Sequence, residues 1–299
     1  MSLRAELLRL GFQTLLKNRD ADFDVDGLRR SMRRVEWLVP RPPARSRTTV
    51  IRVGRLAIHQ VTTPASRPDR ALLYLHGGGY VSGGPGHYRH FLWRMADALA
   101  ATVFLPAYRL APEHPFPAAL EDAAEAYLHL AAGASRAQNL FVMGDSAGGG
   151  LALALLLKLR DEGRPLPLAA VAMSPWTDLA LTGASLRDNA AADPMMNASH
   201  LPGIARLYLG GTDPRTPYAS PLYGEVTGLP PVLIQVGSDE ILRDDAVRMA
   251  EKLARDNPRS RLEIWRRMPH GWQFSVPFLP EASRAIGAIA AFIMTVAPP

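Results

Sequence analysis

Gly144-Asp145-Ser146-Ala147-Gly148 spells G-x-S-x-G between an apolar run and a helix-like segment. A serine on such a tight strand-to-helix turn is held in a strained conformation that only small neighbours tolerate. It also opens a helix, where backbone N–H groups and the dipole favour developing negative charge. Ser146 is therefore the candidate nucleophile, with a plain β–α turn as the other reading. A second motif favours chemistry. His76-Gly77-Gly78-Gly79-Tyr80 ends an earlier apolar run, and consecutive glycines let the backbone offer N–H groups to a substrate without steric cost. Such a loop forms an oxyanion hole with the N–H of the residue after the nucleophile. The candidate donors are Gly78, Gly79 and Ala147, with Gly77 as a further one.

A serine needs a base, and histidine is the usual one. Behind a strand–turn–helix nucleophile the partners follow in the order acid, then histidine. Of eight histidines, only His200 and His270 come after Ser146. His200 falls in an irregular stretch, whereas His270, in Met268-Pro269-His270-Gly271-Trp272, follows a strand-like segment directly and is the candidate base. The acid should lie on the loop after a neighbouring strand, where it can orient the imidazole. Ser238-Asp239-Glu240-Ile241 follows the apolar run 231–237, and spacing leaves both Asp239 and Glu240 open. Asp244 and Asp245 read as the start of the next helix, where carboxylates suit the dipole.

These residues need a scaffold that brings distant turns together. From residue 48 onward, short β-branched runs alternate with longer helix-like segments, the pattern of a largely parallel sheet flanked by helices. Strands are expected at 49–53, 56–62, 71–77, 102–108, 139–145, 168–174, 231–237 and 261–268. Helices are expected near 88–100, 118–132, 147–161, 244–256 and 281–295. Residues 176–230 break the alternation, with only a short helix near 199–209; a segment of that length between core strands reads as an excursion, and 183–217 is taken as an insertion.

The chain has 299 residues and a net charge of +6, and it lacks cysteine, which excludes disulfide scaffolds and thiolate chemistry. Of that charge, +5 lies in the first fifty residues, which hold 11 basic and 6 acidic groups. There Leu3, Leu7, Leu8, Phe12, Leu15 and Leu16 form one helical stripe, with Arg4, Arg9 and Lys17 off it. The helix is expected to lay that stripe on the protein's own surface, with a membrane surface as the alternative. The run PRPPARSR at 40–47 reads as a connector. No apolar stretch approaches the ~18 residues of a membrane span, and Arg4, Glu6 and Arg9 interrupt the N-terminal apolar segment; a soluble, cytoplasmic protein without stable membrane insertion is expected. Nucleic acid is not an expected partner, because the basic segment lacks aromatic interleaving.

Together, His76 to Tyr80, Tyr108-Arg109-Leu110-Ala111-Pro112-Glu113-His114-Pro115-Phe116-Pro117-Ala118-Ala119, Gly144 to Gly150, Leu242-Arg243-Asp244 and His270-Gly271 resemble the bacterial hormone-sensitive-lipase-like esterases. The likeness runs from about residue 70 to the C-terminus. It implies an α/β-hydrolase fold with about eight mostly parallel strands, flanking helices and a helical cap. The cap would comprise 1–45 and the insertion 183–217, on a core of 46–182 and 218–299. In that family a common acid motif reads Asp-Pro-Leu-Arg-Asp; aligning its last three residues on 242–244 puts Ile241 on the proline and Glu240 on the catalytic aspartate. Glu240 is thus the implied acid, with Asp239 as the alternative if the register shifts. Arg109 and Glu113 look like scaffold, an internal ion pair or hydrogen-bond hub.

The implied activity is serine carboxylesterase chemistry through an acyl-enzyme, on a small-molecule ester and without metal or organic cofactor. An apolar, capped pocket points to short-to-medium acyl esters, with lactones as an alternative. A non-catalytic small-molecule receptor on the same fold is the reading from another class; receptors resembling these esterases lack a working histidine, and His270 argues for an enzyme. The family also implies a homodimer through the strand at 261–268.

Overall fold

The apolar runs that become central strands are hydrophobic at every position rather than at alternate ones, the pattern of strands covered on both faces. In the computed structural model, which describes residues 2–14, 24–133 and 139–296, eight strands form one sheet: β1 (Arg47–Val53), β2 (Leu56–Thr62), β3 (Arg67–Leu75), β4 (Ala101–Pro106), β5 (Leu140–Asp145), β6 (Ala169–Met173), β7 (Val232–Gly237) and β8 (Arg261–Trp265). Their order is β1-β2-β4-β3-β5-β6-β7-β8, antiparallel from β1 to β4 and parallel thereafter. Every residue of β4, β5, β6 and β7 is buried, whereas β1 and β8 at the two edges are not.

The helices among the described residues are α1 (Leu3–Phe12), α2 (Val25–Leu38), α3 (Pro85–Leu99), α4 (Ala118–Ala131), α5 (Ala147–Asp161), α6 (Ser185–Asp188), α7 (Leu201–Leu209), α8 (Arg243–Asp256) and α9 (Pro280–Val296). Period-two alternation in β5 splits the core. Leu140 and Val142 face the side packed by α4, α5 and α8, while Phe141 and Met143 face α3 and α9. Register aligns the carboxyl ends: Leu75 pairs with Gly144, Asp145 with Met173, and Gly237 with Trp265. The residues just beyond these ends therefore meet at one crevice, where ligands bind in open α/β sheets.

Three expectations change. The strand expected to run to residue 268 ends at Trp265, and Arg267 then turns the chain with φ +57°. A second N-terminal helix, α2, is present; Asp24 caps it by accepting from the Asp26 and Gly27 N–H groups. The leucine stripe of α1 packs only in part. Leu8 is part-buried against the core, Leu3 and Leu7 are exposed, and Ala5 and Arg9 are the buried residues. Small Ala5 permits close approach, and Ser2 anchors the helix start to Glu281 by N–H and hydroxyl at 2.7 and 2.8 Å. Leu15 and Leu16 lie outside the described residues.

Candidate active site

Each candidate side chain follows the end of a strand. Ser146 sits between β5 and α5 with φ 53° and ψ −123°, a conformation strained for any residue but glycine. Its N–H donates to the Met173 carbonyl at 2.9 Å, and its carbonyl accepts from Gly150 and Trp176. A Cβ on Gly148 would overlap the carbonyls of Leu75 and His76. The close approach that only glycine permits thus brings the serine turn against the glycine-rich loop after β3.

That loop is aimed by its own carbonyls. His76 Nδ1 lies 2.8 Å from the Gly77 carbonyl; a carbonyl only accepts, so this nitrogen carries the proton. Burial pulls the His76 pKa down to about 4, keeping the ring neutral, and Tyr108 stacks on it at 4.2 Å. The Gly78 carbonyl accepts from the Ser82 N–H at 3.0 Å and the Ser82 hydroxyl at 2.8 Å. In a planar trans peptide the N–H points opposite its carbonyl. Pinning the Gly77 and Gly78 carbonyls therefore sends the N–H groups of Gly78 and Gly79 the other way. The Ala147 N–H, in the first turn of α5, has no acceptor within its helix.

Gly77 corrects an expectation. Its N–H donates to Tyr88 Oη at 2.8 Å and to Asp145 Oδ1 at 3.0 Å, so it is occupied inside the protein rather than open to a substrate oxygen. The Asp145 carboxylate also accepts from Tyr74 and Tyr88 hydroxyls at 2.8 and 2.9 Å, while burial pushes its pKa up to about 6. The residue beside Ser146 is thus a hub that holds the glycine loop.

The two carboxylates that spacing left open separate in space. Glu240 is wholly buried and its Oε2 lies 2.8 Å from His270 Nδ1. Its Oε1 accepts from the Ser174 hydroxyl at 2.7 Å and the Gly237 N–H at 2.6 Å. Asp239 instead lies 2.9 Å from the guanidinium of Arg9 and takes the Ser238 hydroxyl at 2.7 Å. Neighbours on one turn point apart, which a linear sequence does not reveal. Burial opposes charge on His270, yet the hydrogen bond and charge of Glu240, with Asp193 and Asp145 behind it, hold its pKa above the ordinary histidine value. His200 lies at the start of α7.

Several contributors carried no sequence signal of their own. Ser174, at φ 47° directly after β6, joins the two halves of the site: Met173 before it accepts the Ser146 N–H, and its own hydroxyl reaches Glu240. Its place at the carboxyl end of a central strand was the available clue. Buried Asp193, between β6 and β7, accepts from the N–H groups of Met195 and Met196 at 2.9 and 3.0 Å, and from that of Ile241, beside Glu240, at 3.0 Å. Asn189 donates to the Glu240 carbonyl at 2.8 Å. Asp244 and Asp245 do begin α8, but Asp245 is buried and accepts from the Thr177 and Asp178 N–H groups, both at 2.8 Å, with its pKa pushed up to about 7 by burial. Arg109 and Glu113 each have a separate partner: Asp122 at 2.8 Å for the first, Arg29 of α2 at 2.5 Å for the second.

The helical segments border this crevice. From α2, Arg29 donates to the Val81 carbonyl at 2.7 Å, just past the glycine loop. Tyr208 of α7 stacks on Tyr80 at 3.7 Å, and Ile204 of α7 lies against Gly79. Arg9 of α1 donates to the Ala192 carbonyl, between α6 and α7, at 3.3 Å and to the Arg267 carbonyl at 3.1 Å.

Residues 72–274 match the family model described as alpha/beta hydrolase fold. An acetyl-hydrolase of Streptomyces hygroscopicus is 46% identical over 246 residues, covering 82% of each chain. A solved esterase of the bacterial hormone-sensitive lipase family superposes with a TM-score of 0.92 at 38% identity, covering 100% of this chain and 99% of that one. The esterase EstE5, in crystals soaked with p-nitrophenyl butyrate, superposes with a TM-score of 0.93 at 38% identity, covering 99% of each chain. With fold, coverage and identity in agreement, the chain belongs to the α/β-hydrolase family, among its bacterial hormone-sensitive-lipase-like esterases.

Proposed function

We propose that the protein hydrolyses short-to-medium-chain carboxylic esters by two-step acyl transfer on Ser146. His270 takes the serine proton as the hydroxyl attacks the ester carbonyl, and returns it to the leaving alcohol; Glu240 orients the ring and stabilises the imidazolium. The oxyanion is bound by the N–H groups of Gly78, Gly79 and Ala147, each such donor being worth about 10² to 10³ in rate. Water then attacks the acyl-enzyme by the same base and releases the acid. The observation that carries this reading is the buried Glu240–His270 contact at 2.8 Å, on the crevice where the strained Ser146 opens α5.

Residues 1–45 and 183–217 act as a cap over the core segments 46–182 and 218–299. The contacts of α2 and α7 with the glycine loop support this, and a cap so close to the donors limits acyl length. The acetyl-hydrolase relative and the butyrate ester used with EstE5 support small acyl groups; lactones are further candidates for the same residues. The edge strand β8 supports a homodimer, which sedimentation tests.

The deciding experiment is a p-nitrophenyl ester panel of increasing acyl length on wild type and Ser146→Ala. Wild type is expected to prefer butyrate or hexanoate, and Ser146→Ala to lose both turnover and the acylation burst. Retained turnover in the variant overturns the nucleophile; faster cleavage of long-chain triacylglycerol overturns the acyl range.

A further inference from the structure

Apolar side chains left in water are unevenly distributed on this molecule. Of ten large exposed apolar residues among the described ones, six (Leu3, Leu7, Leu10, Trp37, Leu38 and Phe278) lie on α1, on α2 or on the loop where α1 rests. Single exposed apolar residues are ordinary, whereas a concentration of them rimmed by polar and charged residues marks a docking face. Trp37 and Leu38 are 89% and 82% exposed, and Leu3 is 77% exposed. On α1, Leu3, Leu7 and Leu10 form one stripe, and Leu7 with Phe278 lines a groove of about 340 Å³.

Arginines predominate around the indole. Arg33, Arg41 and Arg89 border one cleft at Trp37, of about 400 Å³, together with Glu36, whose carboxylate lies 3.7 Å from His87, and Arg30, Arg33 and Arg34 border a second, of about 340 Å³. Arg29 and Arg30 are paired with Glu113 and Asp24. Arg33, Arg34 and Arg41 have no carboxylate partner among the described residues. The two patches flank one element, α3: His87 Nε2 lies 3.0 Å from the Met32 carbonyl of α2, and His90 Nε2 lies 2.8 Å from the carbonyl of Phe274, which precedes the loop under α1.

We propose that α1 and α2 form a docking face for an anionic lipid surface, with the exposed leucines and Trp37 entering the interface and Arg33, Arg34 and Arg41 meeting lipid phosphates. An indole with arginines around it suits the headgroup level, where apolar and charged groups are satisfied together. A second copy of this chain is disfavoured because its own arginine rim would face the first. Nucleic acid would neutralise the arginines but leave six apolar side chains in water. The same helices are fastened beside the crevice through Arg29 and Arg9, so docking would set the cap against the lipid.

The test is co-sedimentation of the full-length protein with vesicles of phosphatidylcholine alone and of phosphatidylcholine with one third phosphatidylglycerol. Wild type is expected to bind the anionic vesicles, less so as salt rises. Trp37→Ser/Leu38→Ser and Leu3→Ser/Leu7→Ser should each weaken partitioning at least about tenfold. Removing the charge of each of Arg33, Arg34 and Arg41 by glutamine should weaken it about fivefold. Turnover of soluble p-nitrophenyl butyrate should stay at the wild-type level, which reports folding. Independently, the part of the tryptophan emission lost in Trp37→Phe should shift to the blue on anionic vesicles. No binding of wild type to anionic vesicles, serine variants that bind like wild type, an unshifted Trp37 emission, or equal binding to duplex DNA that the serine variants retain would each overturn the proposal.

Discussion

The guanidinium of Arg9 lies 2.9 Å from the carboxylate of Asp239, joining the N-terminal helix to the residue beside Glu240. The same buried guanidinium donates to the carbonyls of Arg267 and Ala192, so one side chain ties α1 to the loop after β7, to the loop carrying His270 and to the segment between β6 and β7. A charge that buried needs partners, and here the Asp239 carboxylate, the more distant Glu6 carboxylate at 4.0 Å and two carbonyls supply them.

Arg9→Met should destabilise the protein by about 1 to 3 kcal/mol, since Asp239 retains some solvent access and is not left fully stranded. Asp239→Asn should cost less, because the two carbonyl contacts of Arg9 survive. Urea denaturation of both variants measures the difference; equal or reversed costs would contradict this picture of Arg9.

Glu240→Gln should lower kcat by about 10³ to 10⁴, because the amide no longer holds the imidazole in the required tautomer. Asp239→Asn should leave kcat within about threefold of wild type, since its partner is Arg9. Steady-state kinetics on a butyrate ester separate the two roles.

The base must be neutral to accept a proton, so kcat/KM should fall as pH drops through the His270 pKa, which lies above the ordinary value of 6.5. Because that folded-state pKa is raised, the stabilisation it reports is complete below 6.5 and is lost as pH rises through the folded value. The Asp193 charge helps to raise it. Asp193→Asn should therefore move the acid limb to lower pH, and should cost about 1 to 3 kcal/mol by unmatching the backbone N–H groups that carboxylate accepts. A pH–rate profile with an unmoved limb would refute the electrostatic role.

Ser174→Ala removes the hydroxyl that reaches Glu240 at 2.7 Å. A hydrogen bond to a buried carboxylate is worth about 1.5 to 3 kcal/mol, so kcat should fall by about tenfold or more as the acid loses its fixed orientation, with KM little changed. Loss of binding instead of rate would argue that Ser174 contacts substrate.

Gly78→Ala should act directly on the oxyanion donors. At Gly78, φ is +117° and a Cβ would meet the Ser82 carbonyl, so the substitution must shift the peptide that carries the donor N–H. A loss of about 10² to 10³ in kcat is expected, read against a circular dichroism melt that reports folding.

Much of the candidate site is legible in the amino-acid sequence because the proposed chemistry demands particular residues at particular turns. Ser146 is marked by small neighbours, Gly78 and Gly79 by consecutive glycines, and His270 by chain order after the nucleophile. The central strands are legible because burial on both faces leaves an unbroken apolar run, and β4 to β7 fall within a few residues of those runs. Local pattern does not determine what depends on side-chain direction. Asp239 and Glu240 are adjacent and chemically alike, and only the path of the β7–α8 turn sends one to Arg9 and the other to His270. Gly77 is a glycine like its neighbours, yet Tyr88 and Asp145, brought in from elsewhere in the chain, occupy its N–H. The α1 stripe has a sound helical period, but period specifies only which residues share a face. Whether that face meets protein or water is set by what lies beneath it, and there Ala5, Leu8 and Arg9 make the contacts while Leu3 and Leu7 are left outside.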